Sequence, residues 1–305
     1  MKVISSPGEV EKGKKVCVAI GFFDGVHLGH QQIIRQTITD AQQHDAASVV
    51  ITFDRHPNTI VAPERLPPLI YSLPQKIRNL RQLGPDNLLL IPFDPEFSRQ
   101  TGESFIRSLW TEFRAIQCIC VGANFGFGHR RSGNVSLLGK LGSELGFSVH
   151  GMAAVSLDGQ AISSTRIRES ILRGDLDVAG QMLGRAYSVS SRVVEGDKLG
   201  RTLGFPTANL DITGLVLPPQ GVYAATVQVE GKTRHAVLNI GRRPTLNNPA
   251  PPLRFETHIL DFAGDLYGHE LEVTPVQKLR DEQKFSTLEA LKSQIARDIQ
   301  LARSL

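Results

Sequence analysis

Two histidines stand three residues apart in a glycine-rich segment near the start of the chain. Residues 21–30 read GFFDGVHLGH, directly after an apolar run and before a stretch with helical spacing. Side chains three apart share a helix face, so His27 and His30 can point at one ligand. The helix N-terminus adds unpaired backbone N–H groups, and Gly25 and Gly29 permit close backbone approach. A bare pair of this kind is more often a simple helix start, but here it indicates a phosphate site. At such a site a substrate phosphate can attack an activated phosphorus without an enzyme nucleophile.

A second segment carries hydroxyls and arginines ahead of another helix. Residues 162–168 read ISSTRIR. Such hydroxyls are first of all helix N-caps, but they also bond phosphate oxygens, and an arginine adds charge-assisted bonds. Together with the histidine pair, this segment predicts the second wall of a triphosphate pocket. The spacing leaves open whether Arg166 or Arg168 meets phosphate.

A third segment lies past the middle of the chain. Residues 196–209 contain a glycine-rich turn, GDKLGR, and then GFPTAN. Thr207 and Asn209 are two apart, so in extended chain their side chains share one face, and their neutral oxygens suit Mg²⁺. A turn followed by an ordinary strand is the simpler interpretation. The Walker sequence G-x-x-x-x-G-K-[ST] does not occur in the chain.

The elements that position these segments change in type along the chain. In the first part, strands predicted at 16–21, 48–53, 87–92, 117–121 and 147–155 alternate with helices at 28–43, 74–83, 102–113 and 135–145. This alternation predicts an α/β domain with a parallel sheet, whose ligands bind at the carboxyl ends of the strands. Helices at 165–173 and 176–183 follow, and we place the domain boundary after them, giving domains 1–183 and 184–305.

The second domain reads as a small antiparallel β-barrel closed by one helix. Its strands are predicted at 187–194, 222–230, 233–240, 253–260 and 270–278. For the last helix, Ser286 and Glu289 form a candidate capping box, and an apolar stripe follows. The stripe consists of Leu288, Leu291, Ile295 and Ile299.

Composition bounds the class of protein. The 305 residues are 41% hydrophobic and 21% charged, with a net charge of +4, which is typical of a globular protein of two domains. The basic excess is small and the aromatic residues do not interleave with lysine and arginine, so we expect no nucleic-acid partner. We expect no membrane association and a cytoplasmic location. Cys17, Cys118 and Cys120 have the spacing of neither a disulfide framework nor a zinc site, and we predict buried thiols.

The first two segments together resemble the nucleotidylyltransferase superfamily, in particular the adenylyltransferase module of bacterial riboflavin kinase/FAD synthetases. The segments TFDRHP at 52–57, PFD at 92–94 and VGANFGFG at 121–128 carry the finer match. The resemblance implies a Rossmann-like domain in which His27 and His30 are catalytic. The implied ATP contacts are Gly21, Phe23, Asp24, Gly25, His27, His30, Asn124, Ser163, Ser164, Thr165 and Arg168. The implied FMN contacts are Phe53, Asp54, His56 and Pro57. Three positions depart from the common pattern of that family: Phe22, where a polar or small residue is usual, Asn124, where aspartate is frequent, and Gly126, where a basic residue is usual.

The third segment resembles riboflavin kinases, as do GVY at 221–223, LNIGRRPT at 238–245, FETH at 255–258 and LRDEQKF at 279–285. The resemblance implies Glu256 as the base that accepts the hydroxyl proton. The implied ATP contacts are Gly196, Lys198, Gly200, Arg201, Thr207 and Asn209, of which Thr207 and Asn209 would hold the metal. The implied flavin contacts are Phe205, Tyr223, Glu256, Arg280 and Phe285. Glu195 stands where relatives commonly carry histidine.

The two resemblances imply consecutive steps on one flavin. The barrel would phosphorylate riboflavin to FMN with ATP, and the α/β domain would adenylylate FMN to FAD with a second ATP, releasing pyrophosphate. The implied partners are riboflavin, FMN and ATP as co-substrate, with Mg²⁺ and without a tightly bound redox cofactor. Two alternatives stay open: one live module beside an inactive one, and a flavin sensor without turnover. The sequence does not fix the oligomeric state.

Overall fold

The computed structural model describes residues 1–11, 13–196, 199–242 and 253–305, without the side chains of Leu199 and Arg201. By its internal contacts the chain divides into two compact units. Unit 1 comprises residues 1–67 and 76–164, and unit 2 comprises residues 68–75 and 165–305. Within the described residues, we find no helix whose length and hydropathy would suit a bilayer crossing.

The described part of unit 1 is built on a parallel sheet of six strands in the order β1-β4-β3-β2-β5-β8. These strands are β1 (Lys2–Ile4), β2 (Lys15–Ile20), β3 (Ala46–Phe53), β4 (Asn87–Ile91), β5 (Ile116–Gly122) and β8 (Ser148–Met152). The helices between them are α1 (Leu28–Gln43), α2 (Asn58–Val61), α3 (Leu73–Gln82), α4 (Gly102–Phe113) and α5 (Val135–Leu145). Short strand pairs complete the unit: β6 (Gly126–Phe127) with β7 (Gly133–Asn134), and β9 (Ser156–Leu157) with β10 (Gln160–Ala161). The α/β prediction is therefore confirmed. The short edge strand β1 was not predicted, because a run of three residues carries too little pattern.

Strand β2 shows why both faces of this sheet are covered. Val16, Val18 and Ile20 face a core cluster that includes residues of α4 and α5, whereas Cys17 and Ala19 face one that includes residues of α1 and α3. Successive side chains of a strand point to opposite faces, so a strand buried on both sides must be apolar at every position. Its carboxyl end thereby becomes the part that can carry polar chemistry.

In the described part of unit 2, six strands form a closed antiparallel barrel in the order β11-β12-β15-β14-β13-β16. They are β11 (Val189–Val194), β12 (Ala208–Leu210), β13 (Gly221–Val229), β14 (Lys232–Gly241), β15 (Arg254–Ile259) and β16 (Glu270–Arg280). The helices are α6 (Ser164–Arg173), whose first residue belongs to unit 1, α7 (Leu176–Leu183), α8 (Leu199–Leu203) and α9 (Leu288–Ser304). The predicted barrel with a C-terminal helix is confirmed.

The start of α9 differs from the prediction. The N-cap is Thr287, whose hydroxyl accepts the backbone N–H of Ala290 at 3.2 Å, and the proposed cap at Ser286 lies one residue too early. Leu288 is 58% exposed and does not belong to the buried stripe. The helix therefore turns its apolar face to the barrel only from Leu291 onward.

Candidate active sites

The turn after β2 holds its backbone in a conformation that few side chains adopt. Phe23, Gly25 and Val26 have φ of 54°, 81° and 41°, in the left-handed region. For a β-branched residue such as Val26 this conformation costs about 1–3 kcal/mol and persists only where the surroundings fix it. Phe23, Asp24 and Val26 are buried and supply that fixation. Gly21 is required, because a Cβ there would lie 2.8 Å from the Phe23 ring.

The two predicted histidines lie together at the N-terminus of α1. The Nδ1 atom of His27 accepts the backbone N–H of His30 at 3.4 Å, which makes His27 the N-cap. The rings stack with centroids 3.6 Å apart. Because Nδ1 of His27 accepts, neutral His27 carries its proton on Nε2, which can donate to a phosphate oxygen. A Cβ on Gly29 would come within 3.2 Å of the His27 ring, so the glycine between them keeps this pair compact.

The second predicted segment reaches the first through Ser164. Its hydroxyl donates to the backbone oxygen of Asp24 at 2.9 Å, and both residues belong to unit 1. Ser163 directly precedes this contact. Thr165 and Arg168 fall in unit 2, where Nε of Arg168 donates to the Pro68 oxygen at 2.7 Å. Their contact with ATP stays a prediction, as does the choice between Arg166 and Arg168.

Lys76 was missed by the sequence analysis. It lies on α3 and is buried, and its Nζ donates to the backbone oxygen of Phe53 at 3.0 Å. The same Nζ lies 4.2 Å from the centroid of the Phe22 ring. Burial lowers the pKa of Lys76 from 10.5 to about 8. A lysine on an amphipathic helix gives no sequence signal, since that pattern usually places it in solvent.

The segment predicted to meet FMN follows β3 beside this lysine. Phe53 packs edge-on against Phe93 with centroids 5.5 Å apart. The carboxylate of Asp54 accepts the backbone N–H of Phe93 at 2.9 Å. The ring of His56 packs edge-on against Phe22 at 4.8 Å, and Pro57 precedes α2. The ring of Phe22, which departs from the common pattern, thus contacts both the ammonium group of Lys76 and the imidazole of His56.

The loop after β5 contains the other two departures. Asn124 is exposed in the turn that follows the strand. A Cβ on Gly126 would lie 2.7 Å from a guanidinium nitrogen of Arg131, so the arginine occupies the place of a side chain there. A positive charge thus lies near position 126 although glycine stands there.

In unit 2, a cavity of about 320 Å³ lies between the outer face of the barrel and α9. The predicted residues along its wall are Gly200, Phe205, Thr207, Glu256, Arg280 and Phe285. Leu291 and Ile295 of α9 line the opposite side. Thr207, Glu256 and Arg280 form the polar wall of this cavity, and aromatic rings and the side chains of Leu291 and Ile295 supply its apolar surface.

Strand register brings the polar wall together. Glu256 of β15 is the register partner of Asn209 on β12 and of Asn239 on β14. Register partners on neighbouring strands point to the same face, so the carboxylate lies between two amides. Glu256 also pairs with Arg254 at 3.6 Å, and its side chain is only 11% exposed. Asn239 was not predicted as a site residue, since only the barrel register shows its neighbours.

The glycine-rich turn packs against the two proposed metal ligands. A Cβ on Gly196 would overlap the side-chain amide of Asn209, and one on Gly200 would overlap the Phe205 backbone oxygen and come within 3.3 Å of the Thr207 hydroxyl. Position 200 therefore requires glycine, whereas a side chain at Gly196 would displace the Asn209 amide. Lys198 and the side chain of Arg201 lie outside the described residues, as do positions 243–245 of the supporting segment. Glu195 is exposed beside the turn.

Two predicted flavin contacts have other partners. Arg280 donates from Nε and Nη2 to the buried carboxylate of Asp298 on α9, with the shortest bond at 2.7 Å. It therefore holds α9 over the cavity. Tyr223 does not line the cavity: its neighbour Val222 does, and successive strand residues face opposite sides. Its hydroxyl donates to the Pro219 oxygen, and burial raises its pKa to about 12.

Comparison with known proteins gives a consistent result for both units. Residues 9–166 match the family profile described as FAD synthetase, and residues 183–305 match that of riboflavin kinase. A bifunctional riboflavin kinase/FMN adenylyltransferase of Escherichia coli K12 is 39% identical over 94% of this chain and 92% of its own length. Its namesake from Haemophilus influenzae is 36% identical over 94% of this chain and 93% of its own. A solved structure described as a macrolide-efflux protein from Streptococcus pneumoniae is 28% identical, with a TM-score of 0.82 over 99% of this chain and 98% of its own.

The candidate site at the carboxyl ends of the parallel strands, here called the sheet edge, lies within the first matched region, and the barrel cavity lies within the second. The two regions follow one another in the same order as in the relatives. Identity above the level of chance extends through both regions and the segment between them. The chain belongs to the family of bifunctional riboflavin kinase/FMN adenylyltransferases.

Proposed function

We propose that the barrel transfers the γ-phosphoryl group of ATP to the ribityl 5′-hydroxyl of riboflavin, and that the sheet edge transfers AMP from a second ATP to FMN. The first step yields FMN and ADP, and the second yields FAD and pyrophosphate. The observation that carries the kinase assignment is the row Asn209–Glu256–Asn239, which places a carboxylate between amides on the wall of a ligand-sized cavity.

In the kinase step, Glu256 accepts the proton that the ribityl hydroxyl loses as its oxygen attacks the γ-phosphorus. The bond that breaks joins that phosphorus to the β-γ bridging oxygen, which leaves with ADP. Phe205 and Phe285 contact the isoalloxazine ring, and α9 covers the cavity because Arg280 binds Asp298. The cover excludes water, which would otherwise compete with riboflavin as the acceptor.

The donor set beside the glycine turn suits magnesium. The hydroxyl of Thr207 and the amide oxygen of Asn209 are neutral oxygen ligands, and the turn at Gly196 and Gly200 packs against both side chains. When bound there with ATP, Mg²⁺ would neutralise charge on the transferring phosphoryl group. Gly196, Lys198, Gly200 and Arg201 are proposed to face the ATP phosphates.

In the adenylyl step, a phosphate oxygen of FMN attacks the α-phosphorus of ATP and pyrophosphate leaves. His27 and His30 donate to phosphate oxygens at the start of α1, where the helix N-terminus favours negative charge. The strained turn with Gly21, Phe23, Asp24 and Gly25 presents its backbone to ATP, and Ser163, Ser164 and Asn124 are proposed to bind the same nucleotide. The family resemblance also implies ATP contacts for Thr165 and Arg168. The segment of Phe53, Asp54, His56 and Pro57 contacts FMN. We add Lys76 as a positioning residue, because its ammonium fixes the ends of β2 and β3 through Phe22 and Phe53.

The boundary between the two activities is proposed at residues 183/184, which is supported by the start of the riboflavin kinase match at residue 183. The compact units divide earlier, after Ser164, and residues 68–75 belong to unit 2. The proposed catalytic modules and the compact units therefore have different boundaries.

A product assay on the purified chain with riboflavin, ATP and Mg²⁺ tests the proposal. We expect FMN to appear first and FAD afterwards. Asn209→Ala should abolish FMN formation from riboflavin and leave FAD formation from added FMN intact. FMN as the sole product would show one live module, and bound flavin without product would show a sensor. Either outcome would overturn the proposal of two steps.

A further inference from the structure

A cluster of four metal-binding side chains lies in unit 1 among residues that the proposed reaction does not use. Cys118 and Cys120 occupy alternate positions of β5 and therefore share a face. Cys120 is the register partner of His150 on β8. Asp40, in the last turn of α1, lies over the same face and brings its carboxylate to both thiols. Asp40, Cys118 and Cys120 are buried.

The distances converge on one oxygen. Oδ2 of Asp40 lies 3.6 Å from Sγ of Cys118, 3.3 Å from Sγ of Cys120 and 2.8 Å from Nδ1 of His150. Sγ of Cys120 lies 3.9 Å from the same Nδ1. A zinc tetrahedron with ordinary bond lengths has sulfur–oxygen edges of about 3.6 Å and nitrogen–oxygen edges of about 3.4 Å. The two sulfur–oxygen distances are close to such edges, and the ligand atoms of Asp40, Cys118 and Cys120 all lie within 4.8 Å of one another. His150 lies beside Asp40 and Cys120 and must move to take the fourth corner, which lengthens its edge to Asp40 by about 0.6 Å.

The surroundings have the further features of a metal site. Nε2 of Gln36 donates to the other carboxylate oxygen of Asp40 at 2.7 Å, so that Oδ2 stays turned toward the cluster. Such outer bonds orient the ligands of bound metals. The His150 side chain is 39% exposed, which gives the ion a path from solvent. Two soft sulfurs, an imidazole and one carboxylate suit Zn²⁺ and do not suit Mg²⁺, which requires oxygen ligands in octahedral geometry.

We propose that Asp40, Cys118, Cys120 and His150 bind one Zn²⁺ ion. All four positions of the tetrahedron are filled by protein, so the site is structural, since a catalytic zinc keeps one position open. It ties α1 to the two strands β5 and β8. The ligands come from three separate elements, which is why the cysteine spacing alone indicated no zinc site.

Titration of the full chain with Co²⁺ tests the ligand set directly. The metal-free protein is held in saturating Mg²⁺ and ATP, so that oxygen-lined sites are occupied. We expect a sulfur-to-cobalt charge-transfer band that saturates at one equivalent and disappears when Zn²⁺ is added. Tetrahedral ligand-field bands should accompany it. Absence of a thiolate band in the wild-type protein would overturn the proposal, and the cluster would then be a hydrogen-bonded group without metal.

Single variants identify the ligands. Cys118→Ser and Cys120→Ser should each reduce the charge-transfer intensity by about half and weaken Zn²⁺ binding at least tenfold, which corresponds to about 1.4 kcal/mol. Asp40→Asn and His150→Ala should weaken binding while the band remains. Cys17→Ser is the matched control, because Cys17 is a buried thiol in register with Cys118 on β2 but outside the ligand set. Equal loss in the control, or unchanged binding in both cysteine variants, would contradict the assignment. If a variant fails to fold, the wild-type band still decides.

Discussion

The geometry of the two candidate sites has different origins: backbone conformation in one and strand register in the other. At the sheet edge, the decisive residues are consecutive, and the arrangement lies in the backbone: a turn with Phe23 and Val26 in the left-handed region, followed by a helix N-terminus. In the barrel, the site arises from side chains that the register of β12, β14 and β15 places side by side. Asn209, Asn239 and Glu256 come from three different strands.

This difference has a consequence for single substitutions. A site made largely of backbone N–H groups keeps part of its function when one side chain is removed, because the remaining donors still face the phosphate. A site made of three neighbouring side chains has no substitute for the one that accepts a proton. We therefore expect the barrel to lose more activity than the sheet edge from an equally conservative change.

The largest effect is expected for Glu256→Gln. The amide keeps the shape of the row but cannot accept the ribityl proton, so FMN formation should fall by about 10²-fold to 10⁴-fold. FAD formation from added FMN should stay unchanged. Both products are measured by chromatography, and Glu230→Gln in the exposed turn between β13 and β14 is the control. FMN formation near the wild-type rate in Glu256→Gln would show that Glu256 is not the base.

His30→Ala should have the opposite pattern and a smaller effect. FAD formation from FMN should fall by about 10²-fold, which is typical when one preorganised donor is lost. FMN formation from riboflavin should not change. His44→Ala is the matched control, because His44 is exposed at the C-terminal end of the same helix. An undiminished rate of FAD formation in His30→Ala would exclude this histidine from the site.

Lys76→Met should lower FAD formation about tenfold, because the ends of β2 and β3 lose the ammonium that joins them. It should also change the pH dependence of stability. The pKa of Lys76 is about 8 in the folded chain and 10.5 in its ordinary state, so between these pH values the unfolded chain binds more protons. The free energy of unfolding therefore rises with pH across this window, by up to about 3 kcal/mol.

The measurement is the difference in unfolding free energy between wild type and Lys76→Met, followed from pH 8 to 10.5. The exposed Lys140→Met serves as control for general charge effects. A difference that stays flat across the window would mean that the ammonium is not buried as described.

The smallest effect is expected for Tyr223→Phe. The variant loses the hydrogen bond to Pro219, at a cost of about 1 kcal/mol in stability, but the KM for riboflavin should not change, because Tyr223 does not line the cavity. Phe285→Leu, on the cavity wall, should raise that KM several-fold. If the KM for riboflavin rose in Tyr223→Phe and not in Phe285→Leu, Tyr223 rather than Phe285 would line the flavin site.

The extent to which the sequence predicted these features follows from the range of the interactions. The alternation of strands and helices, the barrel and the histidine pair depend on residues close in the chain, and the periodic pattern or the spacing displays them. Ser164 could be connected with the turn at Asp24 only because two motifs of one family occurred together.

Other features depend on contacts across long separations and could not be predicted. Lys76 lies beside Phe22 and Phe53 through the packing of α3, and Asn239 lies beside Glu256 through the register of β14 and β15. The resemblance implied a flavin contact for Arg280, but it could not show that the guanidinium is bonded to Asp298, eighteen residues away. A charged residue takes the partner that the fold offers, and composition does not reveal that partner.

The position of Arg131 beside Gly126 has a consequence for which substitutions the two positions tolerate. The guanidinium of Arg131 lies where a side chain at position 126 would begin. A lysine introduced at Gly126 should be harmful alone and tolerated together with Arg131→Ala, since the pair would then exchange which position carries the charge. Relatives with a basic residue at the first position should accordingly have a smaller one at the second. The residues at the two positions would then have changed together, so that the effect of one cannot be judged without knowing the other.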